Sequence, residues 1–152
     1  MSNESEYIVL LQETVEELKQ ARHWLQRSAE KCRPIDAAGK LSEDQYDDLE
    51  AYMSRFARAS DLLIQKVFRA IDAVELERPG TLIDAVNRAH KRGLIPGVDD
   101  VRRMRETRNE IAHEYVTEDL TDLLDRVRGF TPVLLGIIDK TIAYCGKYVG
   151  NR

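Results

Sequence analysis

Leu49-Glu50-Ala51-Tyr52-Met53-Ser54-Arg55-Phe56-Ala57-Arg58-Ala59-Ser60-Asp61-Leu62-Leu63-Ile64-Gln65-Lys66-Val67-Phe68-Arg69-Ala70-Ile71 is the run whose reading decides the fold. Leu49, Tyr52, Met53, Phe56, Ser60, Leu63, Ile64, Val67, Phe68 and Ile71 follow one another at helical spacing, mostly steps of three and four. That spacing gathers them on one face of an α-helix, whereas a strand would need alternation. Ser42, with Gln45 three residues on, has the pattern of a capping box, so a helix is predicted from about Glu43 to Ala73. Arg55, Arg58 and Arg69 flank the stripe and read as solvated arginines whose stems cover apolar neighbours.

Upstream, Tyr7, Leu10, Leu11, Val15, Leu18, Ala21, Trp24, Leu25 and Ala29 repeat the spacing and predict a helix from about Glu6 to Lys31, closed by Pro34. Arg33 to Leu41 reads as a loop. Downstream, Thr81 caps a short helix carrying Leu82, Ile83, Ala85, Val86 and Ala89, and Gly93 ends it. Asp99 or Asp100 starts the next helix, where acidic groups are favourable. Thr117 caps a last segment, which Gly129 and Pro132 are predicted to bend or break before the period resumes from Val133 to about Tyr148. Trp24, Tyr144 and Tyr148 read as packing residues with polar tips. The pattern is all-α: four long helices and an additional short one, an up-and-down four-helix bundle with antiparallel neighbours in a single domain over 1–152.

Charge and composition narrow the function. The chain has 23 Lys and Arg against 27 Asp and Glu, a formal charge of -4, which argues against a surface coated uniformly with nucleic acid. Its only cysteines, Cys32 and Cys145, have no companions at metal-ligand spacing, so neither a zinc site nor a disulfide framework is expected, and no cofactor is implied. The polar start, Met1 to Glu6, lacks the pattern of a secretory signal, and no apolar run approaches the roughly 20 residues that span a bilayer. A cytoplasmic protein without membrane contact is the expectation.

Chemistry concentrates in Arg105-Glu106-Thr107-Arg108-Asn109-Glu110-Ile111-Ala112-His113-Glu114-Tyr115. At about 100° per residue, Val101, Met104, Ile111, Ala112 and Tyr115 share one side of a helix, and Arg108 falls in the same sector. An unpaired cation in an apolar sector is expensive, so Arg108 needs a partner or a function. Arg102, Arg105, Asn109 and His113 fall on a second side. Between Asn87 and Arg108, seven cations (Arg88, Lys91, Arg92, Arg102, Arg103, Arg105 and Arg108) face three anions. This is either a phosphate-facing surface, with Arg102 and Arg105 as RNA contacts, or a basic face paired with acidic groups elsewhere.

An arginine and a histidine without carboxylate clusters or thiol ligands suit metal-independent cleavage of RNA. His113 would accept the proton of the ribose 2'-hydroxyl or donate one to the leaving oxygen, and Arg108 would stabilise the charge developing on phosphorus. Asn109 would orient the ring or bind a phosphate or ribose oxygen. DNA, which has no 2'-hydroxyl, would not be cut. One histidine supplies a base or an acid, whereas two suit in-line cleavage better. A homodimer packed through the Met104, Arg108, Ile111 edge would supply both.

Arg108-Asn109-Glu110-Ile111-Ala112-His113-Glu114-Tyr115 resembles the Arg-x4-His-x-Tyr motif of HEPN domains, in particular the HepT-like toxins of HEPN/MNT (type VII) toxin-antitoxin pairs. Tyr52-x-Ser54-Arg55-Phe56-x-Arg58-x-x-Asp61-Leu62-Leu63, Gly80-Thr81-Leu82-Ile83-Asp84 and Asn87-Arg88-Ala89-x-Lys91-Arg92-Gly93-Leu94-Ile95 are similar to sequences of that group, so the likeness spans Leu49 to Tyr115. The resemblance implies a dimeric, metal-independent ribonuclease with Arg108 and His113 in a composite site and Asn109 assisting. It also implies a cognate MNT-type nucleotidyltransferase antitoxin that transfers AMP to Tyr115. Two other readings stay open. One is a non-catalytic subunit that binds nucleotide or substrate for a minimal nucleotidyltransferase, and the other is a structural bundle whose motif packs a dimer.

Overall fold

The Ser42 hydroxyl accepts the Gln45 N–H at 3.1 Å while the Gln45 side chain accepts the Ser42 N–H at 2.9 Å, so the capping box forms and starts the central helix where the sequence places it. In the computed structural model, which describes residues 2–113 and 120–150, every regular element is helical. These are α1 (Ser2–Cys32), α2 (Glu43–Asp61), a π-helical turn (Leu62–Val67), α3 (Phe68–Val74), α4 (Leu82–Lys91), α5 (Val98–Ala112) and α6 (Leu120–Val149). The predicted single helix from Glu43 is a continuous rod with a π-turn inside it. Leu62, Leu63, Ile64 and Val67 are buried within this turn, so it stays part of the rod's core-facing side.

Polar pairs fix how the rods run. Lys31 meets Asp48, Arg55 meets Ser28 and Lys66 meets Glu17, so α1 and α2 with its extension are antiparallel. Arg22 meets Asp139 while Arg128 donates to the carbonyls of Cys32 and Ile35, so α1 and α6 are antiparallel too. The Cys32 carbonyl also accepts the Ile35 N–H at 3.0 Å, so Arg128 adds a side-chain donor to the turn that follows α1. The buried apolar faces of the helices join one cluster.

Thr81 caps α4 with Asp84 in a second capping box, and Gly93 ends that helix at φ 78°, a conformation open to glycine. Three expectations change. Helix α5 begins at Val98 after Gly97 rather than at the aspartates, which lie in its first turn. Helix α6 runs unbroken through Gly129 and Pro132, because Val127, Thr131, Leu134, Ile137 and Ile138 are buried on both sides of the proline while its ring faces solvent. Trp24 is 46% exposed and is not a core residue. The Thr117 cap lies outside the described residues. Among the described residues no helix is long and apolar enough to cross a membrane.

Candidate functional site

Val101, Met104, Thr107 and Ile111 bury one edge of α5. That burial corrects one expectation: Met104 and Ile111 belong to the chain's own core, so the edge they form with Arg108 is not available to a second copy. Ala112, expected on the same side, is exposed because it stands at the last turn. Arg108 emerges beside the buried edge and reaches α2.

There its Nε and Nη2 donate to the two carboxylate oxygens of Asp61 at 2.8 and 2.7 Å, a bidentate pair. The hydrogen bonds from the guanidinium to Asp61 raise the arginine's pKa further, against a smaller opposing effect of burial, so the charge is permanent. Asp61 is the last residue of α2 and immediately precedes the π-turn. Among the described residues no hydrogen bond engages Nη1 of Arg108. The pair forms part of the wall of an open groove of about 520 Å³, lined also by Ser54, Arg58, Gln65 and Lys66. Three cations and one carboxylate surround that space, which suits an anionic ligand.

The remaining residues of the motif are distributed around the helix. Asn109, Arg102 and Arg105 line a second groove of about 320 Å³ between α4 and α5, whose apolar wall includes Leu82, Ile83, Val86 and Val98. Arg102 also pairs with Asp99 at 2.8 Å on the exposed surface. His113 ends α5, exposed, with its backbone N–H donating to the Glu110 carbonyl at 3.1 Å. Glu110 is held by Arg126 of α6, and these hydrogen bonds keep its carboxyl below the ordinary glutamate value. The last turn that carries His113 is thus tied to α6. Tyr115 lies outside the described residues.

The basic stretch from Arg88 to Arg108 does not form one surface. Arg92 donates to Asp72 at 2.7 Å and to Glu75 at 2.8 Å, and Arg88 donates to Asp72 and to the Arg78 carbonyl. Tyr144 and Tyr148 of α6 donate to the same Glu75. Two of the seven cations are therefore consumed in a clasp joining α3, α4 and α6.

Asp61 is the site residue that reading for chemistry missed. Its signal was present: it is the one acid between Ala51 and Ile71, on the flank of the longest apolar stripe, and an arginine in an apolar sector of another helix lacked a partner. Among the described residues no group of three or more histidines, cysteines or carboxylates is placed to hold a metal ion. No family model matches the chain, and no curated protein or solved structure matches it either.

Proposed function

We propose that the protein is a HEPN-type ribonuclease toxin, an up-and-down four-helix bundle with α4 as the additional short helix, acting without a metal through Arg108 and His113. The observation that carries this reading is the Arg108 guanidinium, oriented by Asp61 on the wall of an open groove shared with Arg58 and Lys66. A phosphodiester in that groove meets Nη1 of a fixed, permanently charged arginine, which is the arrangement that stabilises a phosphorane. The 2'-oxygen attacks phosphorus as its proton passes to a base, and the 5'-oxygen leaves with a proton from an acid. His113, exposed at the end of the helix, serves one of these roles and the His113 of a second copy serves the other. Asn109 assists on the neighbouring side.

Because Met104 and Ile111 are internal, the homodimer uses another face. Helix α5 borders an uncovered apolar groove at Ile83, 69% exposed, and Val98, and we place the second copy there. That side carries Asn109 and leads to His113. Neutralisation by a nucleotidyltransferase antitoxin is what the HEPN resemblance implies: AMP on Tyr115, two residues past His113, would add bulk and negative charge where RNA phosphate binds.

The engagement of Arg108 by Asp61 also favours a second reading, a non-catalytic nucleotide-binding or substrate-binding subunit of a nucleotidyltransferase, since a charge-neutralised arginine holds ligand without needing to catalyse. Cleavage of RNA by the purified protein, abolished in both Arg108→Ala and His113→Ala, supports the toxin. Cleavage or growth inhibition that persists in both variants sinks it. Mass spectrometry of the protein co-expressed with an MNT-type nucleotidyltransferase antitoxin is expected to place AMP on Tyr115.

A further inference from the structure

The groove beside Arg108 does not stop at Arg58. Arg58 also lines a second depression of about 300 Å³ between α1 and α2, together with Glu17, Gln20, Ala21, Trp24 and Arg55. The two spaces are linked again by the ion pair of Glu17, which lines the second, with Lys66, which lines the first, at 3.7 Å. At this separation and exposure the pair is weak and is readily exchanged for a phosphate.

Trp24 dominates the second space. A tryptophan 46% exposed on a helix face shared with Gln20 and Arg27 keeps nearly half of its surface open to a ligand, while neighbouring side chains contact its ring. The Arg55 guanidinium lies over it, 5.0 Å from the ring centroid, and is itself anchored by a 2.7 Å hydrogen bond to the buried Ser28. His23 meets it edge-on with centroids 5.0 Å apart. An exposed indole fixed by its neighbours is a stacking platform whose ordering entropy has already been lost before a ligand arrives. Next to it stand an amide, Gln20, able to read a base edge, and a cation, Arg58, able to hold a phosphate.

We propose that Trp24, Arg55, Gln20 and Arg58 form a nucleobase-binding subsite that holds an unpaired base of the RNA beside the scissile phosphate. The proposal rests on the reading of the Arg108 groove as an RNA site. Arg55 and Asp61 are six residues apart on α2, about 9 Å along its axis at 1.5 Å per residue, a distance a short piece of single strand spans. The base stacks on Trp24, its phosphate sits on Arg58 and Lys66, and the neighbouring phosphate reaches Arg108. Single-stranded RNA is selected because a base stacked within a duplex offers no free face to the indole.

Trp24 is the one tryptophan in the chain, so its fluorescence reports this subsite alone. The full-length His113→Ala protein, which leaves RNA intact, is titrated with a short single-stranded RNA carrying a fluorescent label, with tryptophan emission and label anisotropy followed together. Saturable quenching at the same midpoint as the anisotropy change is expected. In the same background Trp24→Ala weakens binding about tenfold by anisotropy and Trp24→Phe recovers most of it. Arg58→Ala weakens binding and lowers the slope of log affinity against log salt by about one. RNA binding without any tryptophan response, or with Trp24→Ala at wild-type affinity, overturns the subsite and leaves the ribonuclease reading standing. Absence of RNA binding by anisotropy overturns both. Quenching by the nucleotidyltransferase partner but not by RNA overturns the subsite in favour of a protein interface.

Discussion

Arg92 and Arg108 have nearly the same immediate chemistry and opposite surroundings. Each donates through Nε and one terminal nitrogen to carboxylate oxygens at 2.7 and 2.8 Å. The Arg92 side chain is 9% exposed and Arg108 is 27% exposed. Around Arg92, burial works against the charge and the hydrogen bonds to Asp72 and Glu75 overcome it, so the pKa still rises. Around Arg108 the bond to Asp61 is the main influence and burial the smaller one. The first arginine joins α3 to α4 and, through Glu75, to α6. The second faces a groove. A carboxylate partner therefore does not distinguish a structural arginine from one available to a ligand; the space left beside the guanidinium does.

The comparison breaks most visibly in kinetics. Arg108→Ala is expected to lower RNA cleavage by about a hundredfold to a thousandfold, the loss typical of one removed transition-state donor, while urea unfolding shifts by no more than about 1 kcal/mol. If Arg108→Ala instead unfolds the protein, the two arginines are alike and the contrast is wrong. Asp61→Asn keeps the side-chain volume but frees the guanidinium, and is expected to cut the cleavage rate by about tenfold, a smaller loss than Arg108→Ala.

Arg92→Ala should reverse the pattern. It removes the cation shared by the buried Asp72 and the half-buried Glu75, which keep Arg88 and Lys147 beside them, and a loss of about 2 kcal/mol in denaturant unfolding is expected, with cleavage per folded molecule retained. Retained stability would show that the clasp is dispensable. A smaller change acts in the opposite direction beside the clasp. Leu76 follows α3 with φ 60°, a left-handed conformation in which a Cβ is crowded, and it is 68% exposed. Leu76→Gly should stabilise the protein by about 1 kcal/mol.

The last prediction concerns pH. Burial of Glu75 disfavours its charge, but hydrogen bonds from Tyr144, Tyr148 and Arg92 outweigh this and hold its carboxyl below its ordinary value of 4.5. The folded state thus binds this proton less readily than the unfolded chain. The contribution to stability is complete above about pH 4.5 and is lost as pH falls through the lowered folded value. Unfolding of Glu75→Gln followed across the acid range should show a flatter acid limb than wild type; an identical slope would remove Glu75 from the account.

Much of the fold was legible because the signals are local. Ser42 with Gln45, and Thr81 as a cap, act within three residues along the chain, and both caps form, the second completed by Asp84. Gly93 takes the conformation its position requires. Pro132 misled because its effect on an isolated helix is local, whereas the burial that keeps α6 continuous comes from other helices. Trp24 misled, as did Leu10, because each sits at the margin of an apolar period wider than the face that α1 buries. In the candidate site, Arg108 was visible as an anomaly, but its partner is 47 residues away, beyond any helical repeat.

By itself, the sequence determined where most helices start, which faces they bury and that Arg108 needed an answer, since propensity, capping and periodicity act within a few residues. Only the tertiary structure decided that Asp61 supplies the answer, that Arg88 and Arg92 are held in a clasp while Arg58, Lys66 and Arg108 line one groove, and that Trp24 lines a second depression that shares Arg58 with it. Those outcomes depend on which helix lies against which, and charge pairing and exposure are set by that packing rather than by any property of the residues taken singly.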